Sequence, residues 1–149
     1  NPEIHRLLVH DGQEQSAKLL QLVSDPQNRP LVFHCSHGVH HTGTGAAILL
    51  TALGVPWETV REDYLLSNYF RREEVQKRLG QLRAMASEKL GVEPEAVDMR
   101  NMEAFLIQDG SYIDAFRDEV GTAYGSFAAC FADSGIDAAV LREELLSDV

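Results

Sequence analysis

Leu31-Val32-Phe33-His34-Cys35-Ser36-His37-Gly38-Val39-His40-His41-Thr42-Gly43-Thr44-Gly45 is the stretch on which the fold turns. Leu31 to Phe33 is an apolar run that reads as a short buried strand. It delivers Cys35 into a loop carrying Gly38, Gly43 and Gly45, and Ala46-Ala47-Ile48-Leu49-Leu50 then continues as a helix that stops at Gly54. Strand, glycine loop and helix N-terminus together make an anion cradle, because successive backbone N–H groups face one concavity and the helix dipole adds partial positive charge. A cysteine at the floor of such a cradle is pushed toward thiolate, from a free thiol pKa of about 8.5. The residues alone therefore point to a nucleophilic thiolate beneath a bound anion.

His34, Cys35, Gly38, Thr42 and Gly43 fall on a pattern of His-Cys, five residues, arginine, then Thr/Ser-Gly. The stretch resembles the signature loop of cysteine-dependent phosphatases. Downstream, Ala52-Leu53-Gly54-Val55-Pro56 and Glu62-Asp63-Tyr64-Leu65-Leu66-Ser67-Asn68 are similar to the bacterial tyrosine/serine phosphatase branch. So are Tyr124-Gly125-Ser126-Phe127, Gly135-Ile136 and Leu141-Arg142-Glu143-Glu144-Leu145-Leu146. The resemblance runs from about His34 to the C-terminus. It departs from the family at one important position, where His41 stands in place of the arginine.

The 149 residues suit a single phosphatase-like domain over 1–149, with 44% hydrophobic and 24% charged content in the ordinary globular range. Thirteen basic residues against 23 acidic ones give a net charge of −10, which disfavours nucleic-acid or anionic-membrane binding. No apolar run approaches the roughly 20 residues that span a bilayer. Two cysteines, one in a reactive-looking loop and one in an apolar segment, suit a reducing, cytoplasmic setting better than a disulfide framework.

The expected architecture is α/β: a parallel or mixed phosphatase-like sheet flanked by helices, with a mostly helical C-terminal half. Residues 1 to 10 read as an extended entry segment or short strand. Helices are expected from Glu14 to Val23, over Pro56–Phe70, from Val75 to near Gly91, and from Glu93-Pro94-Glu95 through Phe105. Another should begin at a Ser111 N-cap. One confident strand cannot form a sheet, since buried strands need neighbours. The chain is accordingly expected to be the C-terminal portion of a longer protein, its sheet completed by an upstream fragment or a second chain.

The resemblance implies roles for the loop. Cys35 would attack phosphorus and form a phosphocysteine, splitting one difficult displacement into two. The backbone amides of Ser36, His37, Gly38, Val39, His40 and His41 would bind the phosphoryl oxygens. Thr42 would hydrogen-bond the sulfur or cap the following helix. His34 would hold the loop from behind or serve as a satisfied core histidine, and Asp63 would order the loop's surroundings or cap a turn. In the branch that the chain resembles, Lys-Asp precedes the arginine and that Asp can supply the leaving-group proton. Here the pair is Val39-His40, so His40 is the replacement acid, with Asp11 in the upstream turn a second candidate.

The family arginine presents a charged planar fork to two phosphoryl oxygens. An imidazole is shorter, offers one donor at most, and is half protonated only near pH ~6.5. The expected function is thus phosphomonoester hydrolysis through phosphocysteine, without a cofactor and with activity reduced at His41. The substrate would be a phosphorylated peptide, lipid or small metabolite. Two other readings stand beside it: a pseudophosphatase that binds phosphate or a partner, and a metal-binding protein built on the His34, Cys35, His37, His40 and His41 cluster.

Overall fold

The computed structural model describes residues 1–146. Among these residues every regular element is helical, and no strand forms. The α/β expectation is therefore corrected. Leu31 to Phe33 takes no regular structure, and Val32 is 84% exposed. An apolar run becomes a strand only when a neighbour completes its hydrogen-bond ladder. Among the described residues no strand exists to supply that neighbour.

The N-terminal segment is also a helix. Helix α1 (Pro2–Asp11) begins at Asn1, whose side chain accepts from the Glu3 N–H at 2.9 Å; Pro2 sits at the first helical position and Glu3 in the first turn. Each of these choices satisfies or complements an otherwise unpaired helix start. His5 and Val9, four residues apart, form its buried face, while Ile4 and Leu7 stay about half exposed. Helix α2 (Gln13–Ser24) follows directly after Gly12 and buries Leu20 and Val23.

Helix α3 (His40–Ala52) is the hub. It packs against α2, α4 (Trp57–Phe70), α8 (Phe127–Asp133) and α9 (Ala138–Leu146). Its start at His40 means that Gly43 and Gly45 belong to the helix rather than to the loop before it. Gly43 is required by close approach: a Cβ there would lie 2.9 Å from two carbons of the Tyr64 ring. Ala47, Ile48 and Ala52 continue the buried face and join Leu20, Val60, Tyr64, Ile113, Phe116 and Leu141 in one apolar core.

Helix α5 (Arg72–Leu90) buries only Val75 and ends at Gly91, which takes the left-handed conformation that closes many helices. The helix expected from Glu93 is instead a single 3-10 turn, Pro94–Ala96, and the next α-helix, α6, spans Arg100–Leu106. Helix α7 (Gly110–Tyr124) is capped by Asp109, whose carboxylate accepts from the Ser111 N–H at 2.8 Å. The cap thus lies two residues before the expected Ser111. α7 packs closely along α1 and carries the buried residues Ile113, Phe116 and Val120.

Candidate active site

Between the Leu31–Phe33 run and α3, residues 36 to 39 make a short loop in which Gly38 takes φ +64°. That left-handed turn suits glycine because it has no Cβ to clash. Two contacts tie the loop to the helix behind it. The Cys35 N–H donates to Thr42 Oγ1 at 2.9 Å, and the Gly43 N–H donates to the Val39 carbonyl at 2.7 Å. Thr42 is therefore inside the helix, bound to the cysteine, and is not the helix cap.

Cys35 is half-buried and unpaired with Cys130. Burial by itself raises its thiol pKa, but the Thr42 hydroxyl and the backbone N–H groups of Thr42, His37 and Val39 outweigh that and hold it down to about 6. The contributing groups are dipoles, with no charged side chain among them. Cys130, half-buried in the core beside Asp133, is pushed the other way, burial being the main cause.

A cavity of about 430 Å³ opens on the cysteine. Cys35, His41, Thr42, His34 and Phe33 line it from the loop side, with Leu8, Asp11, Gln15 and Leu19 on the opposite wall. No lysine or arginine contributes to that lining, and Asp11 is its one carboxylate. His41 is exposed and reaches the cavity. His34 is also exposed, with Nδ1 placed to donate to the Cys35 carbonyl at 3.3 Å.

The remaining loop side chains turn elsewhere. His37 lies edge-on to the Phe105 ring at 5.1 Å, and its Nδ1 is 3.1 Å from Ser36 Oγ. His40 points away from the cavity toward α6, donating from Nε2 to the Phe105 carbonyl at 2.9 Å. Burial is the largest cause of its lowered pKa. Asp63 is exposed on α4 and does not line the cavity. Among the described residues, no three His, Cys, Asp or Glu side chains converge as a metal site; His37 and His40 turn to Phe105, while His34 and His41 line the cavity.

A polar network behind the loop has no counterpart in the sequence reading. Gln108, 3% exposed, donates from Nε2 to the Val39 carbonyl at 3.0 Å. Asn68 at the end of α4 brackets the Gln108 backbone, accepting its N–H at 2.9 Å and donating to its carbonyl at 2.7 Å. Nearby, the Tyr64 hydroxyl meets His5 Nε2 at 3.0 Å while His5 Nδ1 faces the Asn1 carbonyl at 3.1 Å, which fixes the tautomer with hydrogen on Nδ1. The Asp63–Asn68 segment was visible in the sequence as a family resemblance. Gln108 and His5 carried no signal of their own.

The model of the tyrosine phosphatase family matches residues 2–147. The chain belongs to the tyrosine phosphatase family. This phosphatase-family chain is 32% identical over 120 residues to a candidate tyrosine-protein phosphatase of Cupriavidus necator, a match covering 80% of the chain and 40% of that protein. It is 29% identical over 119 residues to the triple specificity protein phosphatase PtpB of Mycobacterium tuberculosis, covering 76% of the chain and 42% of PtpB. The chain thus spans about two fifths of the length of these curated relatives. Among the described residues, no helix is long and apolar enough to cross a membrane.

Proposed function

We propose that this tyrosine phosphatase-family chain carries the nucleophile of a phosphomonoester hydrolase. The observation that carries the reading is Cys35 opening on the cavity with its N–H bound to the Thr42 hydroxyl, in a loop whose polar groups hold the thiol down to about 6 and so favour thiolate near neutral pH. The Cys35 sulfur attacks phosphorus, the P–O ester bond breaks, and the ester oxygen leaves with a proton from a donor. Water then attacks the phosphocysteine, releasing inorganic phosphate and restoring the thiolate. The amides of residues 36 to 41 hold the phosphoryl oxygens, and the Thr42 hydroxyl stabilises the sulfur as it leaves.

Asp11 suits the proton donor's role, since it lines the same cavity as Cys35. His40, the loop's own candidate, would first have to leave the Phe105 carbonyl. Asp11→Asn should slow an alkyl phosphate, which needs a proton on its leaving oxygen, more than an activated aryl phosphate; equal slowing of both removes it from the role. Substrates are phosphorylated peptides, lipids or small metabolites.

A second reading, a phosphate-binding pseudophosphatase, is favoured by His41 at the arginine position and by a wall without lysine or arginine. Turnover of an aryl phosphate by the protein, Cys35→Ser and His41→Arg separates the two. For the enzyme, Cys35→Ser should abolish turnover and His41→Arg should raise it about 10²–10³-fold, the worth of a charged donor aimed at transition-state charge. Turnover surviving in Cys35→Ser defeats the phosphocysteine route. Silence in both the protein and His41→Arg, with phosphate binding retained, favours the pseudophosphatase.

A further inference from the structure

The buried Gln108 sits in the extended link Ile107–Asp109 between α6 and α7, sequence-distant from the loop that it touches. Its backbone is clamped through both polar groups by the Asn68 amide, so its side chain leaves a fixed point. That side chain spends its donor on the Val39 carbonyl, which already accepts from the Gly43 N–H. Val39 is itself 1% exposed, and no side chain caps the helix that begins after it. Fixing the Val39 carbonyl holds the end of the short loop that runs from Cys35 into α3.

A second observation separates this arrangement from ordinary core packing. Gln108 Oε1 is buried with no hydrogen-bond partner. Leaving a carbonyl oxygen unpaired away from water costs stability, and an apolar side chain of similar length would fill the space without that cost. The amide is therefore poorly explained by stability and better explained by what its N–H holds.

We propose that Gln108 is a positioning residue for the nucleophile loop: anchored by Asn68, its side-chain amide fixes the Val39 carbonyl and so holds in place the loop backbone that surrounds Cys35. The inference rests on the phosphatase reading only in taking Cys35 as the nucleophile. Its test needs no turnover. Iodoacetamide alkylation of Cys35 is followed against pH by mass spectrometry of the Cys35 peptide, for the protein, Gln108→Met, Asn68→Ala and the double variant.

The thiolate is the reacting form, so the pH midpoint of alkylation reports what the loop amides do. Gln108→Met should raise the midpoint by about one pH unit, making alkylation at pH 6 roughly fivefold slower. Asn68→Ala should shift it the same way, and the double variant should go no further than Gln108→Met. A midpoint unmoved in Gln108→Met overturns the proposal even if its melting temperature falls, since a purely packing role would give that result. Additive shifts in the double variant overturn the anchoring step. Should Gln108→Met not fold, an unmoved midpoint in Asn68→Ala overturns the proposal. A midpoint that moves in Gln108→Met while the protein cleaves no phosphate ester would instead leave the proposal standing and count against the phosphatase reading.

Discussion

Gly43→Ala adds one methyl group at the point where α3 passes beneath Tyr64, and two opposing effects set its outcome. Inside a helix, alanine is favoured over glycine by about 0.8–1.0 kcal/mol. Against this, the new Cβ would lie 2.9 Å from Tyr64 Cδ2 and Cε2 and 3.0 Å from Gln108 Nε2, where carbon pairs prefer about 3.5–4.0 Å. Overpacking of that kind costs about 1–3 kcal/mol when neighbours cannot yield. Tyr64 is poorly placed to yield, being 2% exposed with its hydroxyl against His5, itself 1% exposed. The clash should therefore offset or outweigh the helix gain, leaving Gly43→Ala about 0–2 kcal/mol less stable. Gly80→Ala is the control, because Gly80 lies inside α5 and a Cβ there meets nothing within 4 Å; it should be stabilised by up to about 1 kcal/mol. Urea unfolding of both variants measures the difference, and Gly43→Ala as stable as Gly80→Ala would refute the packing argument.

Two further outcomes follow from the titrating groups. Cys35 should alkylate with a midpoint near pH 6, and Thr42→Val, which removes the hydroxyl at the sulfur, should move that midpoint upward; a thiol that alkylates only at the pH of free cysteine contradicts the cradle. His5 is held neutral, its pKa lowered to about 4 chiefly by burial, with His40 also opposing its charge. The unfolded chain binds the His5 proton near pH ~6.5 and the folded chain does not until pH falls further, so this residue's contribution to stability declines as pH drops from about 6.5 to about 4. Relative to His5→Gln, the protein should lose about 3 kcal/mol across that window in pH-dependent urea melts; parallel curves would show that His5 charges freely in the fold.

Helices α4, α5 and α7 were legible because each repeats apolar residues at helical spacing over several turns. The run Leu31–Phe33 was misleading as a buried strand, since whether such a run is paired and covered depends on neighbours that no local pattern contains. At the N-terminus the clustering of Ile4, Leu7, Leu8 and Val9 drew attention from Asn1-Pro2-Glu3, an ordinary helix start whose cap decides that element. In the site, Cys35 and Thr42 lie within one loop and helix turn, so their partnership could be read from spacing. Gln108 and His5 lie far along the chain from Val39 and Tyr64. A polar residue that becomes buried through a distant partner leaves no periodic trace.

The chemistry of the loop divides between main chain and side chain. The groups that lower the Cys35 pKa are backbone amides and one hydroxyl, in a chain whose net charge is −10 and beside a cavity wall without lysine or arginine. Dipoles suffice to favour a thiolate, because those that the fold holds in place are already oriented before any ligand arrives. Neutralising a transferring phosphoryl group asks for more: charge that grows in the transition state is best met by a fixed cation, and the side chain at position 41 is the family's source of it. Substitution at His41 should therefore change turnover by orders of magnitude while moving the alkylation midpoint of Cys35 comparatively little. Thr42→Val and Gln108→Met act on the cradle itself and should move the midpoint first. If His41→Arg proved to shift the midpoint as far as it raised turnover, nucleophile formation and phosphoryl binding would be one function of one charge, and the division drawn here would be wrong.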